Sequence, residues 1–175
     1  MSQAAPILHL VCGKAAARKS TLTAKLGREV GGVVIAEDAW LAALFADRMA
    51  SLTDYAQCAT RLRDIMEPHV VALLSAGVSV VLDFPANTVA TRRWMRRIID
   101  AAEVAHRLHV LDVPDAVCKA RIEARNARGD HPFTLTEAQF DQLLKHFEAP
   151  SDAEGFHIVR HQFQPGEADG DPPPR

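Results

Sequence analysis

The chain has 175 residues, of which 48% are hydrophobic and 24% are charged, and its formal net charge is −2 at pH 7. This length is sufficient for one domain with a complete hydrophobic core and is too short for two such domains. Because the net charge is close to zero, the protein as a whole has no electrostatic attraction to nucleic acid or to an anionic membrane. No apolar run reaches membrane-spanning length.

Cysteine and histidine usage is that of an intracellular protein. Cys12, Cys58 and Cys118 form no CxxC pair, so neither a disulfide framework nor a zinc site is expected. The N-terminus lacks the pattern of a signal peptide. The eight histidines show no metal-ligand spacing, and those in the strand-like segments, His9 and His109 among them, are interpreted as structural. We expect a cytoplasmic protein that is a monomer or a weak dimer.

Strand and helix patterns alternate along the chain, which is typical of an α/β fold with a parallel sheet covered on both faces. The predicted strands are residues 7–12, 32–36, 78–84, 106–113 and 156–161. The predicted helices are residues 19–30, a segment through Trp40, Leu41, Leu44 and Phe45, and residues 54–76, 88–105, 114–128 and 136–147. A loop follows at 129–134. We expect one domain over residues 1–163 and a disordered proline-rich tail over 164–175.

The first strand runs into a motif that resembles a phosphate-binding loop. The consensus G-x-x-x-x-G-K-[ST] is matched by Gly13, Lys19 and Ser20. In such a loop the lysine reaches the β- and γ-phosphates of ATP, the serine hydroxyl holds Mg²⁺, and Thr21 could touch the α-phosphate. The predicted nucleotide-binding residues are Gly13, Lys14, Ala15, Ala16, Ala17, Arg18, Lys19, Ser20 and Thr21.

Arg18 stands where the consensus has its second glycine. Glycine is used there because the chain turns tightly and passes close to phosphate oxygens, and a β-carbon adds roughly 1–2 kcal/mol of strain if φ is positive. An arginine also adds positive charge. Taken by itself, the stretch could equally be a strand–turn–helix with an incidental lysine and serine.

Acidic residues follow the second strand, at the edge of a parallel sheet where ligands bind. Asp38 is our candidate for the general base that takes a proton from an incoming hydroxyl, and Glu37 is its near rival and a second predicted substrate contact. The alternative is that Asp38 only caps the helix that follows, a position that aspartate favours.

Asp83 ends the third strand, and Asn87 follows it. A carboxylate at the end of an apolar strand is costly unless it is paired or near a metal, so Asp83 is predicted to support Mg²⁺ or to pair with Ser20, and the alternative is a cap for the turn at Pro85. Asn87 is predicted to face the substrate, or else to cap the next helix.

Two groups of arginines lie on predicted helices. Arg92, Arg93, Arg96 and Arg97 fall on one arc, where Arg92 and Arg93 are candidate contacts for an anionic substrate group and a solvated basic face is the alternative. Arg121, Arg125 and Arg128 lie along one helical side that runs toward the loop at 129–134. Such donors can stabilise charge on a transferred phosphoryl group, and salt bridges with Glu123 or Asp130 are the alternative.

The sequence resembles the small P-loop kinases of the AAA_33 group. The segments that carry this resemblance are LHLVCGKAAARKSTL, AEDAWL, VVLDFPANT with RRW, CKARIEARNARG and EGFHIV. These kinases are relatives of zeta toxin, chloramphenicol phosphotransferase and polynucleotide kinase. The resemblance covers residues 7–161. It implies a three-layer P-loop nucleoside-triphosphate hydrolase/kinase fold, with a five-stranded parallel sheet and a helical lid, and phosphoryl transfer from ATP to a hydroxyl. It also implies that Asp38 is the base, that Arg121 stacks on adenine and that Arg125 and Arg128 close over the phosphates.

The predicted function is an ATP-dependent phosphotransferase that uses ATP and Mg²⁺ and acts on a hydroxyl of a small molecule. Asp38, Lys19, Arg125 and Arg128 are the predicted catalytic residues, and Ser20 and Asp83 the predicted metal site. One alternative is a non-catalytic nucleotide-binding pseudokinase in which Arg18 fills or distorts the loop. A second is a polynucleotide 5′-hydroxyl kinase, which the overall charge does not favour.

Overall fold

The computed structural model describes residues 5–129 and 134–165. Within these ranges the strands are β1 (Ile7–Cys12), β2 (Val33–Ala36), β3 (Val80–Pro85), β4 (Ala105–Asp112) and β5 (Ile158–Gln162). The α-helices are α1 (Lys19–Val30), α2 (Glu37–Phe45), α3 (Leu52–Ser75), α4 (Val89–Ala102), α5 (Asp115–Arg128) and α6 (Glu137–Lys145). Short 3₁₀ turns occupy Ala46–Arg48 and Asp152–Glu154.

The strands form one parallel sheet in the order β2-β3-β1-β4-β5. This confirms the predicted α/β class and the five parallel strands. Because all strands run the same way, their carboxyl ends meet at one edge, where ligands bind in open α/β sheets. Residues 130–133 of the predicted loop and 166–175 of the predicted tail lie outside the described residues.

The main core lies between the sheet and the helices α3 and α4. Leu8 and Leu10 of β1 are fully buried there, together with Met66 of α3 and Met95 of α4. The helix α1 lies on the opposite face, where a β-carbon at Gly27 would come 2.3 Å from Cγ2 of Val34. Only glycine allows this close approach of the helix to the edge strand β2.

Side-chain caps fix where several helices begin. Ser51 and Asp54 form a capping box at the start of α3, and Thr88 accepts a hydrogen bond from the Thr91 amide at the start of α4. These caps satisfy backbone N–H groups in the first turn of each helix. Across the described ranges, no helix is long and apolar enough to cross a membrane.

Candidate active site

The loop after β1, the predicted phosphate-binding loop, contains two non-glycine residues with positive φ. Arg18 has φ 71° and ψ 35°, the left-handed conformation that favours glycine, and Ala16 has φ 59°. The loop closes with a hydrogen bond from the Ala17 amide to the Lys14 carbonyl, 3.1 Å. Left-handed residues in such a turn point successive backbone N–H groups into a concavity that suits anions. Arg18 therefore adopts a backbone conformation that favours glycine, at a cost of about 1–2 kcal/mol.

Lys19 opens α1 and folds back over this loop. Its Nζ donates to the carbonyls of Gly13 and Lys14, at 2.8 Å each. Burial lowers the pKa of the Lys19 ammonium, and the carboxylates of Asp83 and Asp38 act against this shift. The lysine charge is thus close to the loop carbonyls and to two carboxylates, one near the end of β3 and one in the first turn of α2.

Ser20 and Asp83 meet at this edge of the sheet. The side chains of Ser20 and Thr23 lie beside the carboxyl of Asp83, and the Thr23 hydroxyl donates to the Ser20 carbonyl at 3.0 Å. Burial raises the pKa of Asp83, whereas the nearby Ser20 hydroxyl and the charge of Lys19 lower it. The proximity of Ser20 and Asp83 agrees with the predicted pair, and the roles of both residues at a metal site stay predictions. Hydroxyl and carboxylate oxygens are ligands that Mg²⁺ accepts, since this ion uses one or two protein carboxylates and takes its other ligands from phosphates and water.

Asp38 lies in the first turn of α2, beside the end of β3. The residue that caps α2 is Ala36, which makes no side-chain cap bond, so Asp38 is not the cap. Ala36 is paired with Asp83 in the sheet register, which brings the two acidic positions to neighbouring strand ends. The Tyr55 hydroxyl contacts Oδ1 of Asp38 at 3.1 Å and Oε2 of Glu37 at 3.2 Å.

Glu37 is buried, which corrects its prediction as a substrate contact and as the rival base. Its side chain is 1% exposed and is held by Nη2 of Arg63 at 3.0 Å from Oε1. Burial raises the pKa of Glu37, and the Arg63 charge opposes that shift. A carboxyl enclosed in this way supports its neighbours and does not meet a ligand.

Asn87 holds the residue that follows β1, and its role as a substrate contact stays a prediction. Its Oδ1 accepts from the amide of Gly13 at 2.9 Å, and its Nδ2 donates to the carbonyl of Gly13 at 2.8 Å. The cap of α4 is Thr88. Asn87 therefore uses one donor and one acceptor of its side-chain amide to hold Gly13, the first residue of the predicted phosphate loop.

Arg92 is fully buried, which corrects its prediction as a substrate contact. Its guanidinium makes two bonds to Glu154, at 2.7 and 3.0 Å, and donates to the carbonyls of Ala86 and Glu148 at 2.9 and 2.7 Å. The residues around 148–154 cover this part of α4. Arg93, the next residue, is exposed, and its role as a substrate contact stays a prediction.

The α5 arginines run from the phosphate loop to the helix end. Nη1 of Arg121 donates to the Ala16 carbonyl at 3.3 Å, and its guanidinium lies 5.6 Å from the centre of the Phe163 ring. Arg125 is half-buried and Arg128 exposed, both in the last turn before Gly129. Arg121 is thus in contact with the predicted nucleotide loop, and the assignments of Arg125 and Arg128 stay predictions.

Tyr55, Arg63 and Thr23 are site residues that the sequence reasoning missed. Tyr55 and Arg63 are eight residues apart on α3 and so share one helical face. The available signals in the sequence were this spacing and the presence of a single tyrosine. Neither signal indicates that this face of α3 lies against the start of α2. Among the described residues, including those of the candidate site, no group of three or more His, Cys, Asp or Glu side chains is arranged to hold a metal ion.

Residues 8–150 match the AAA_33 family, described as an AAA domain, and the chain belongs to this family. The resemblance seen in the sequence is confirmed. No curated protein matches the chain.

Solved structures share the fold at low sequence identity. A candidate kinase from Chloroflexus aurantiacus is 18% identical, with a TM-score of 0.76 over 94% of this chain and 92% of that one. Kti12 of Chaetomium thermophilum, in complex with ADP-AlF3, is 13% identical, with a TM-score of 0.68 over 94% and 92%. The Mycobacterium tuberculosis APS kinase CysC, in complex with AMPPNP and APS, is 19% identical, with a TM-score of 0.61 over 93% and 90%. The fold is that of the small P-loop kinases.

Proposed function

We propose that this protein is an ATP-dependent phosphotransferase whose acceptor is a hydroxyl group of a small molecule. The observation that carries the proposal is the meeting of three parts at one sheet edge: the loop with Lys19 after β1, the Ser20–Asp83 pair, and Asp38 after β2. Phosphoryl transfer needs little covalent chemistry from a protein, so these positioning and charge-stabilising groups are the parts required.

ATP and Mg²⁺ fit the donor set of the site. Backbone N–H groups of residues 13–21 and the N-terminus of α1 would bind the phosphates. Lys19 would exchange its two loop carbonyls for β- and γ-phosphate oxygens. Ser20 and Asp83 would hold Mg²⁺, which neutralises developing charge on the phosphates when bound. Arg121, in contact with the loop at Ala16, would lie against the adenine.

Asp38 would act on the acceptor. As the acceptor oxygen bonds to the γ-phosphorus, its proton passes to the Asp38 carboxylate, and the bond from that phosphorus to the bridging oxygen breaks to release ADP. Arg125 and Arg128, in the last turn of α5, would stabilise the charge on the transferred group. Arg93, exposed near the start of α4, would bind an anionic part of the acceptor.

The first experiment is calorimetric titration with MgATP, with Lys19→Ala as the variant and the exposed Lys25→Ala of the same helix as control. Binding that needs Lys19 and not Lys25 supports the proposal. A screen of hydroxyl compounds by ADP release then identifies the acceptor. Asp38→Asn is expected to keep ATP binding and to lose transfer; full activity in that variant would remove the base assignment.

A non-catalytic nucleotide-binding protein is the second candidate, and Arg18 is the observation that favours it. A residue other than glycine at this position places a side chain at the turn beside Lys19. Under this alternative, wild-type protein binds MgATP weakly or not at all, and Arg18→Gly restores the affinity. Steady ATP consumption with a phosphorylated product would exclude it.

A further inference from the structure

The Tyr55 hydroxyl joins two carboxyl groups that differ in exposure. It lies 3.1 Å from Oδ1 of Asp38, which is half-buried, and 3.2 Å from Oε2 of Glu37, which is 1% exposed. A phenol carries one proton, so this single group serves both carboxyls. Glu37 is in turn fixed by Arg63.

The start of α3 determines where this hydroxyl lies. The capping box of Ser51 and Asp54 fixes the first turn of the helix, and the Tyr55 amide donates to the Ser51 carbonyl at 3.0 Å. The Tyr55 ring packs against the main core. Two turns on, Arg63 reaches Glu37 from the same face of the helix. The first half of α3 therefore holds the first turn of α2 through two side chains.

We propose that Tyr55 is a positioning residue for Asp38: its hydroxyl ties the Asp38 carboxyl to the buried Glu37–Arg63 pair and so fixes the direction in which Asp38 faces an acceptor. The catalytic part of this inference rests on the proposed function, because it needs Asp38 to be the base. Carboxylates on the first turn of a helix have several side-chain rotamers, and a misplaced base costs much of the rate. Burial and the two nearby carboxyls raise the pKa of the Tyr55 phenol, which keeps it protonated as a hydrogen-bond donor.

The structural part of the inference is tested by NMR on protein labelled with ¹³C at Cζ of tyrosine. Tyr55 is the sole tyrosine of the chain, so one signal reports on this hydroxyl. Asp38→Asn is expected to move the signal, because it removes a charged acceptor. Asp47→Asn, which changes an exposed aspartate just after α2, is expected to leave it in place. A signal that does not respond to Asp38→Asn would overturn the proposal.

The catalytic part is tested with Tyr55→Phe, which keeps the ring that packs on the core and removes only the hydroxyl. With MgATP and the acceptor found in the screen, we expect kcat to fall about 100-fold while KM for ATP is unchanged. Thr60→Val, which removes an exposed hydroxyl on the same helix, is expected to keep wild-type kcat. Wild-type kcat in Tyr55→Phe would overturn the inference.

The two proposals fail in different ways. If wild-type protein neither binds nor consumes MgATP, the proposed phosphotransferase function fails, and the NMR response to Asp38→Asn still decides whether Tyr55 positions Asp38. If wild-type protein turns over ATP and Tyr55→Phe is equally fast, the function stands and the Tyr55 inference fails.

Discussion

Asn87 and Gly13 are joined by two hydrogen bonds although 74 positions separate them in the sequence. The side-chain amide of Asn87 accepts from the N–H of Gly13 and donates to its C=O. These two bonds extend the hydrogen bonding between β1 and β3 beyond the strand ends. The first residue of the phosphate loop is thereby tied to the neighbouring strand. The shape of the loop then depends on a residue outside its own motif.

Asn87→Asp is expected to weaken this tie. The substitution keeps the acceptor for the Gly13 amide and replaces the Nδ2 donor with an oxygen that faces the Gly13 carbonyl. Loss of one partner in a part-buried pair costs about 1–3 kcal/mol, measurable by urea unfolding, and MgATP affinity should fall with it. Gln142→Glu makes the same chemical change at an exposed position of α6 and should cost under about 0.5 kcal/mol. Equal effects of the two variants would contradict the prediction.

Arg18→Gly is expected to stabilise the protein relative to Arg18→Ala by about 1 kcal/mol, because only glycine takes the left-handed conformation without strain. Both variants lack the long arginine side chain, so the difference in their stability reports only the backbone strain at position 18. Glu103→Gly is the matched control, since Glu103 is an exposed residue with φ 51° at the end of α4. Both glycine variants should raise the unfolding midpoint, and only Arg18→Gly should raise MgATP affinity. No gain of Gly over Ala at position 18 would show that the position is unstrained.

Arg92→Met is expected to cost about 3–5 kcal/mol of stability, because it removes both guanidinium bonds to Glu154 and the donor to two backbone carbonyls. Arg93→Met, one residue along the same helix and exposed, should change stability by under about 0.5 kcal/mol. Chemical denaturation of both variants measures the difference. Equal stability of the two would mean that the buried ion pair adds nothing over a packed methionine.

Three histidines form a hydrogen-bonded row across the sheet. Nδ1 of His9 lies 2.9 Å from Nε2 of His109, whose Nδ1 lies 2.9 Å from Nε2 of His161. Burial lowers the pKa of all three rings, and that of His109 falls from 6.5 to about 4. Arg107 adds to the shift at His9, and Lys25 adds to it at His161.

This row predicts a loss of stability in mild acid. Because the pKa of His109 is lower in the folded than in the unfolded protein, the unfolded chain binds more protons below pH 6.5, and stability falls as the pH drops from 6.5 toward 4. The contribution of His109 alone is up to about 3 kcal/mol. His109→Phe keeps a ring in the stack and should flatten this dependence, whereas a change of the exposed His69 to Gln should not. An unchanged slope in His109→Phe would refute the assignment.

The sequence by itself determined the features that depend on near neighbours along the chain. Alternating apolar patterns predicted the strands and helices to within a few residues, because burial on a sheet or helix follows a fixed period. The spacing of Gly13, Lys19 and Ser20 predicted a phosphate loop, and strand ends placed Asp38 and Asp83 at one edge.

Only the tertiary structure decided which polar side chains are bonded to other parts of the protein. Arg92 was predicted on an exposed basic arc, but residues 148–154 pack over it, and no local pattern reveals that cover. The contact from Asn87 to Gly13 and those from Tyr55 and Arg63 to the α2 carboxyls join segments that are 17 to 74 residues apart. A buried polar group must find a partner somewhere in the fold, and the identity of that partner is a property of packing between elements, which the pattern of any single element does not contain.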